Sequence, residues 1–158
     1  MPFLIDYMTY NHGLKQSTLY GPTISYVFLK PLEILELWCM RYGTSVSGNQ
    51  KAMKSALSIS QKIPVLVHPI QQIYFFPTIS AMDHQCIWIN AKNIIRVQSI
   101  HCDTLITFSD QHTLRCPIGK RTILKQIQRC GLMEQSIIQQ LRLEQSSILS
   151  TLKSINIR

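Results

Sequence analysis

The side chains with the most evident chemistry in this chain are cations. Sixteen Lys and Arg stand against eight Asp and Glu in 158 residues, a formal charge of +8 and a pI of about 9.4. Only 15% of the residues are charged, well under the usual quarter, so the charge present is strongly one-signed. From Leu37 to Met82 there is no acid, and Arg41, Lys51, Lys54 and Lys62 stand unopposed. A second acid-free stretch between His112 and Met133 holds Arg115, Lys120, Arg121, Lys125 and Arg129. Arg121, Lys125 and Arg129 recur every fourth residue and share a face if the segment is helical. Such a row can follow phosphates, displacing a condensed counterion at each contact. It equally suits the wet side of an amphipathic helix. The balance points to an anionic partner, either nucleic acid or an acidic membrane face.

Other chemistries find little support. The five cysteines, Cys39, Cys86, Cys102, Cys116 and Cys130, are odd in number and irregularly spaced, which reads as reduced thiols in a cytosol. No C-x-x-C or H-x-x-x-H pair occurs, and His84-x-Cys86 and His101-Cys102 are the nearest approaches. Zinc sites draw on close ligand pairs, so Cys86 and Cys102 are read instead as small buried apolar residues. No metal and no cofactor is expected. There is no G-x-S-x-G elbow, dinucleotide fingerprint or phosphate loop, and eight carboxylates leave no evident acid/base pair. The chain does not read as an enzyme. No apolar stretch approaches 18 residues, and the start Met-Pro-Phe-Leu-Ile-Asp-Tyr is not a secretory leader. The last residues, Ser-Ile-Asn-Ile-Arg, form no retention or lipidation address. A cytoplasmic, nucleoid-associated protein is expected.

The elements that must carry the cations follow from pattern. Apolar residues at 46% suit a single globular domain able to bury its own core. Residues 1–29 are mixed, with turn signals at Asn11-His12-Gly13 and Gly21-Pro22 and a strand in the run from Thr23 to Leu29. Pro31 opens a helix whose apolar positions include Leu32, Leu35 and Cys39, and Gly43 stops it. A short helical stretch lies near Gln50 to Leu57. Short strands are predicted at Val65–Val67, Ile73–Pro77, Cys86–Ile89 and Ile94–Val97, with a hairpin from Thr104–Phe108 to Thr113–Cys116. Tyr74, Phe75, Phe76 and Trp88 read mainly as core, with a base-stacking platform, and hence RNA binding, as the alternative. A helix follows Pro117 and is capped by Gly131. A second one over 134–153, with Ile137, Ile138, Leu141, Ile148, Leu149 and Leu152 as its apolar positions, packs on the sheet or makes a dimer contact. The expected class is α+β: an antiparallel sheet of about six short strands with an N-terminal helix and two C-terminal helices.

The middle of the chain resembles the competence transcription factors of the ComK family. The matching residues are Lys30-Pro31-Leu32, Cys39, Arg41-Tyr42-Gly43, Gly48, Ile59-Ser60, Lys62 and Pro64. The most specific piece is Ile73-Tyr74-Phe75-Phe76-Pro77-Thr78-x-Ser80, followed by Cys86-x-Trp88-Ile89; Thr107-Phe108-Ser109 and Pro117-Ile118 complete it. The resemblance divides one DNA-binding domain over 1–158 into a divergent segment 1–29, a core 30–130 and a C-terminal helix 131–158. It implies an activator of DNA-uptake genes that binds paired AT-rich boxes through the minor groove and backbone, as assemblies of dimers. A narrow AT-rich minor groove attracts Arg and Lys and needs no major-groove helix. The resemblance carries Arg41, Gly43, Gly48 and Lys62 into a loop region that is basic in the family. Together with the acid-free segments, the expected DNA contacts are Arg41, Lys51, Lys54, Lys62, Lys120, Arg121, Lys125 and Arg129. RNA polymerase and a proteolytic adaptor are implied as protein partners, although the Phe-Met-Leu-Tyr-Pro stretch that engages the adaptor has no counterpart after residue 130.

There are departures. The family's glycine at the position of Gly48 is typically followed by a basic pair; here Asn49-Gln50 stands there and Lys51 comes one place late. Val46 replaces a usual aromatic. These changes motivate a second reading, a protein-interaction module with weakened DNA binding that modulates a fuller paralogue through mixed oligomers.

Overall fold

The strand β5, Ile73–Pro77, is buried at all five positions, because both faces of its sheet are covered. Ile73 and Phe75 enter one core with Ile34, Leu35, Cys39 and Trp88. Tyr74 and Phe76 enter another with Ile106, Phe108, Leu114, Ile123 and Met133. This period-2 partition makes the strand read as a continuous apolar run. Tyr74, Phe75, Phe76 and Trp88 are at most 3% exposed, so no base can stack on them and the platform reading falls.

The computed structural model describes residues 1–156; the last two positions of the helix expected over 131–158 lie outside the described residues. The class is α+β. In chain order the remaining strands are β1 (Tyr7–Asn11), β2 (Gln16–Tyr20), β3 (Ile24–Val27), β4 (Val65–His68), β6 (Trp88–Asn90), β7 (Ile94–Ile100), β8 (Asp103–Phe108) and β9 (Thr113–Cys116). The helices are α1 (Pro31–Arg41), α2 (Val46–Leu57) and α3 (Lys120–Asn156). Strands β3-β2-β1-β6-β5-β4 form an antiparallel six-stranded sheet, and β7-β8-β9 form a separate meander. The hairpin β1–β2 lies where the sequence reads as mixed. Its turn is held by the Asn11 carboxamide oxygen, which accepts the Leu14 N–H at 3.0 Å.

Helix α1 begins at Pro31, and the Glu33 carboxylate accepts the Lys30 N–H at 2.7 Å. It ends before Gly43, whose φ of +77° is a conformation that glycine adopts without strain. Helix α2 starts four residues earlier than expected, because Ser45 Oγ caps it by accepting the Gly48 N–H at 3.0 Å.

The two expected C-terminal helices are one. α3 runs 37 residues without a break through Gly131, a length of about 55 Å. Gly131 alone weakens a helix by only about 1 kcal/mol, and the apolar face resumes beyond it at Met133, which is 4% exposed. The N-terminal part of α3 buries Ile123, Gln126, Cys130 and Met133; from Ile138 to Asn156 every residue is exposed. None of the described helices is long and apolar enough to cross a membrane.

Candidate nucleic-acid interface

A loop and a helix are tied together at the cations. Gln126 of α3 is 2% exposed, and its amide donates to the carbonyls of Lys62 (2.9 Å) and Pro77 (2.8 Å). The Arg129 guanidinium donates to the carbonyls of Gln61 (3.1 Å) and Lys62 (3.4 Å), and to Gln126 Oε1 (3.1 Å). Ser58 (φ 54°) and Lys62 (φ 51°) are held in the left-handed region, which costs a non-glycine residue about 1–2 kcal/mol. At Lys62 the bonds from α3 offset that cost and leave the side chain exposed at a fixed place, while Ser58 is the left-handed C-cap of α2.

The other cations gather on either side of this tie. Lys54 and Lys62 line one cleft of about 410 Å³ with Gln50, Gln61 and Ser80. Lys51, also exposed, lies one turn before Lys54 on α2. Lys120, Arg121 and Lys125 line a shallow groove along α3 with Leu124 and Gln128. The α3 row therefore reaches Arg129, crosses to the 61–62 loop and continues to Lys54. Among the described residues only two ion pairs form, Asp110–His112 and Asp103–Arg115. None of the eight expected contact residues has a carboxylate of the described residues within ion-pair distance. Arg115, the fifth cation of the second acid-free stretch, lies on β9, where its Nε donates to Asp103 at 2.9 Å, and it stays out of the row. Arg41 ends α1, exposed, and lines neither the cleft nor the groove.

The loop before α2 explains its glycines and the family departure. A Cβ on Gly48 would sit 2.8 Å from Ser45 Oγ, inside the helix cap. Asn49 is 5% exposed and faces the protein. Its Nδ2 donates to Thr44 Oγ1 (3.0 Å) and to the carbonyls of Ser45 (2.7 Å) and Leu66 (3.2 Å), while its Oδ1 accepts the Leu66 N–H at 2.6 Å. This clamps α2 onto the free edge of β4, where unpaired backbone groups would otherwise remain. Asn49 and Gln126 are absent from any sequence-based list of site residues. Gln126 leaves a faint signal, a polar residue in register with Ile123, Ile127 and Cys130; Asn49 leaves none.

Cys102 is exposed, contrary to the small buried residue expected, whereas Cys86 is 3% exposed and none of the five cysteines is in a disulfide.

Fold and surface define a class, a basic α+β domain that sets an unpaired cationic row on a long helix and the loop it grips. The chain belongs to the ComK family, whose description, ComK protein, matches residues 7–142. It is 34% identical over 107 residues to the competence transcription factor of Bacillus subtilis (strain 168), a match covering 67% of this chain and 56% of that protein. No solved structure matches. The family match begins within β1 and ends within α3, before most of its exposed distal half.

Proposed function

We propose that the chain is a DNA-binding competence transcription factor, acting as one domain without catalysis. It grips AT-rich boxes through the minor groove and the phosphate backbone, and activates DNA-uptake genes at the nucleoid. The observation that carries this reading is the joined row of Lys54, Lys62, Lys120, Arg121, Lys125 and Arg129, with no carboxylate of the described residues within ion-pair distance of any of them. Cations left unpaired on one surface lose little by meeting a polyanion. Lys51, one turn before Lys54 on α2, and Arg41, at the end of α1, complete the proposed contact set. RNA polymerase is the partner that activation requires. The adaptor partner has no motif here to support it.

Self-association is part of the reading. Ile138, Leu141, Gln145, Ile148, Leu152 and Ile155 follow alternating steps of three and four along α3, the spacing of a coiled-coil seam. The five apolar members are 37–61% exposed. Residues 138–156 hold Arg142 and Lys153 against Glu144, so this end is nearly neutral in a chain of charge +8. A near-neutral apolar stripe of self-complementary spacing suits a second copy rather than DNA.

The test is binding of the full chain to an AT-rich duplex across salt concentration. With four to five phosphate contacts, log K should fall against log salt with a slope of roughly −4, since each contact contributes about −0.9. In the triple variant Lys54→Ala, Lys62→Ala, Lys125→Ala the slope should shrink by about 2.7 while the melting temperature holds. Replacing A·T by inosine·C pairs, which keep the minor-groove pattern, should leave affinity unchanged. A flat salt response in a folded protein would instead favour the interaction module. That alternative loses part of its motive, because the side chain at position 49 points inward.

A further inference from the structure

We propose that Asp6, Asp110 and His112 form a binding site for a divalent cation of the zinc class, which ties the six-stranded sheet to the β8–β9 turn. The site is independent of the DNA reading and lies on other elements. Asp6 immediately precedes β1 and is 2% exposed. Its backbone is fixed on both sides: its N–H donates to the Tyr20 carbonyl at 2.7 Å, and its carbonyl accepts the Asn90 N–H at 2.8 Å. Its Oδ1 accepts the Asn93 amide at 3.0 Å. Its Oδ2 is buried with no hydrogen-bond partner, alone in this respect among the buried side-chain polar atoms described. A buried orphan acceptor is rare in a folded protein and calls for an explanation.

Asp110 and His112 supply the surroundings of that oxygen. Both belong to the turn between β8 and β9, which is held near Asp6 where the Ser109 N–H donates to the Asn93 carbonyl at 2.8 Å. Asp110 Oδ1 accepts the His112 N–H at 3.1 Å, and its Oδ2 lies 3.0 Å from His112 Nδ1. One ligand atom from each of the three residues lies within 4.8 Å of the others. Among the described residues no ion pair joins any Lys or Arg to either carboxylate.

Two carboxylates that face one another need a positive charge or a proton between them. Two carboxylates and an imidazole are a ligand set for a borderline divalent ion, with a coordination position left for water. Metal–ligand bonds of about 2.1 Å put tetrahedral ligand atoms roughly 3.4 Å apart, so closure takes about 1 Å of movement. The Asp110–His112 turn is the part free to move, since Gln111 and His112 are exposed. The ligands come from two segments far apart in sequence, the residue before β1 and the β8–β9 turn, which is why no local spacing shows all three.

The test uses the full chain carrying Cys102→Ser, because the exposed thiol beside His101 would compete for zinc. Burial pushes the Cys39, Cys86, Cys116 and Cys130 thiols up, away from the thiolate that binds metal. After EDTA treatment and its removal, Zn²⁺ is titrated by calorimetry, with melting followed in parallel. The expected result is one Zn²⁺ per chain and a melting temperature that rises with Zn²⁺ and returns with EDTA. His112→Ala, at the exposed turn, should weaken binding at least tenfold while the metal-free melting temperature holds, and Asp110→Asn should weaken it likewise in folded protein. No heat and no melting shift, or undiminished affinity in folded His112→Ala, would overturn the site and leave a shared proton between the two carboxyls.

Discussion

At the scale of single residues, the consequential side chains are polar groups turned inward. Asn49 makes four hydrogen bonds to Thr44, Ser45 and Leu66. Asn49→Ala should cost about 2–3 kcal/mol, read from chemical denaturation, because it strands buried backbone groups of β4. Asn49→Lys, which restores a basic residue of the family pattern, should likewise destabilise without raising DNA affinity; tighter binding at full stability would contradict the clamp. Asp6 sets a pH dependence. Burial first, and the Asp110 carboxyl second, push it from the ordinary 3.8 to about 7. The unfolded chain releases this proton near 4 and the folded chain only near 7. The folded-state pKa is thus the raised one, and the associated stability is complete below the unfolded value. It is lost as pH rises from roughly 4 to about 7. In metal-free protein, Asp6→Asn keeps a donor toward Asp110 at every pH. Its melting temperature relative to the parent should therefore climb across that window, by about 2–4 °C per kcal/mol; a constant difference would count against the shared proton. Exposure of the cations was legible in the sequence, because Lys and Arg rarely bury. The partners of Asn49, Gln126 and Asp6 were not, because each lies across the fold.

At the scale of elements, punctuation and period were readable where each has one cause. Pro31 and Gly43 bound α1, and the apolar run Ile73–Pro77 is β5 to the residue. The β8–β9 hairpin also lies where alternation placed it. The half-buried strands β1 and β2 were not readable, since their exposed faces carry Thr, Tyr and Gln without a clean alternation. Nor does strand pattern say which strands share a sheet. Gly131 misled because a glycine after a helical run resembles a cap, whereas here apolar contacts on both sides carry the helix across it. A Cβ at Gly131 would meet nothing within 4 Å, and the backbone is helical. Gly131→Ala should therefore stabilise the protein by about 0.5–1 kcal/mol in thermal or denaturant unfolding. A destabilised variant would show that α3 bends there.

At the scale of the whole molecule, charge and apolar surface are segregated along one helix. The basic end of α3 faces the loop with Lys62, and the distal end carries the exposed apolar stripe from Ile138 to Ile155, the proposed seam. The pair Leu141→Asp, Ile148→Asp alters residues 58% and 61% exposed, so the fold should survive. Sedimentation should show the variant as monomer, with affinity for paired boxes down by about a hundredfold and for a single box unchanged, as expected when avidity is lost. Wild-type sedimentation as a monomer at all concentrations would remove the seam. Gly131 is the sole glycine of α3, and it lies between Arg129, whose guanidinium holds the 61–62 carbonyls, and the first rung of the seam at Ile138. Cys130 and Met133, packed in the core on either side, hold that intrinsically weak turn, so give between subunits paired by the proposed seam would come from the unpacked turns beyond Ile137. Gly131→Ala would then leave the tolerance for the distance between recognition boxes unchanged, even as it makes each subunit harder to melt.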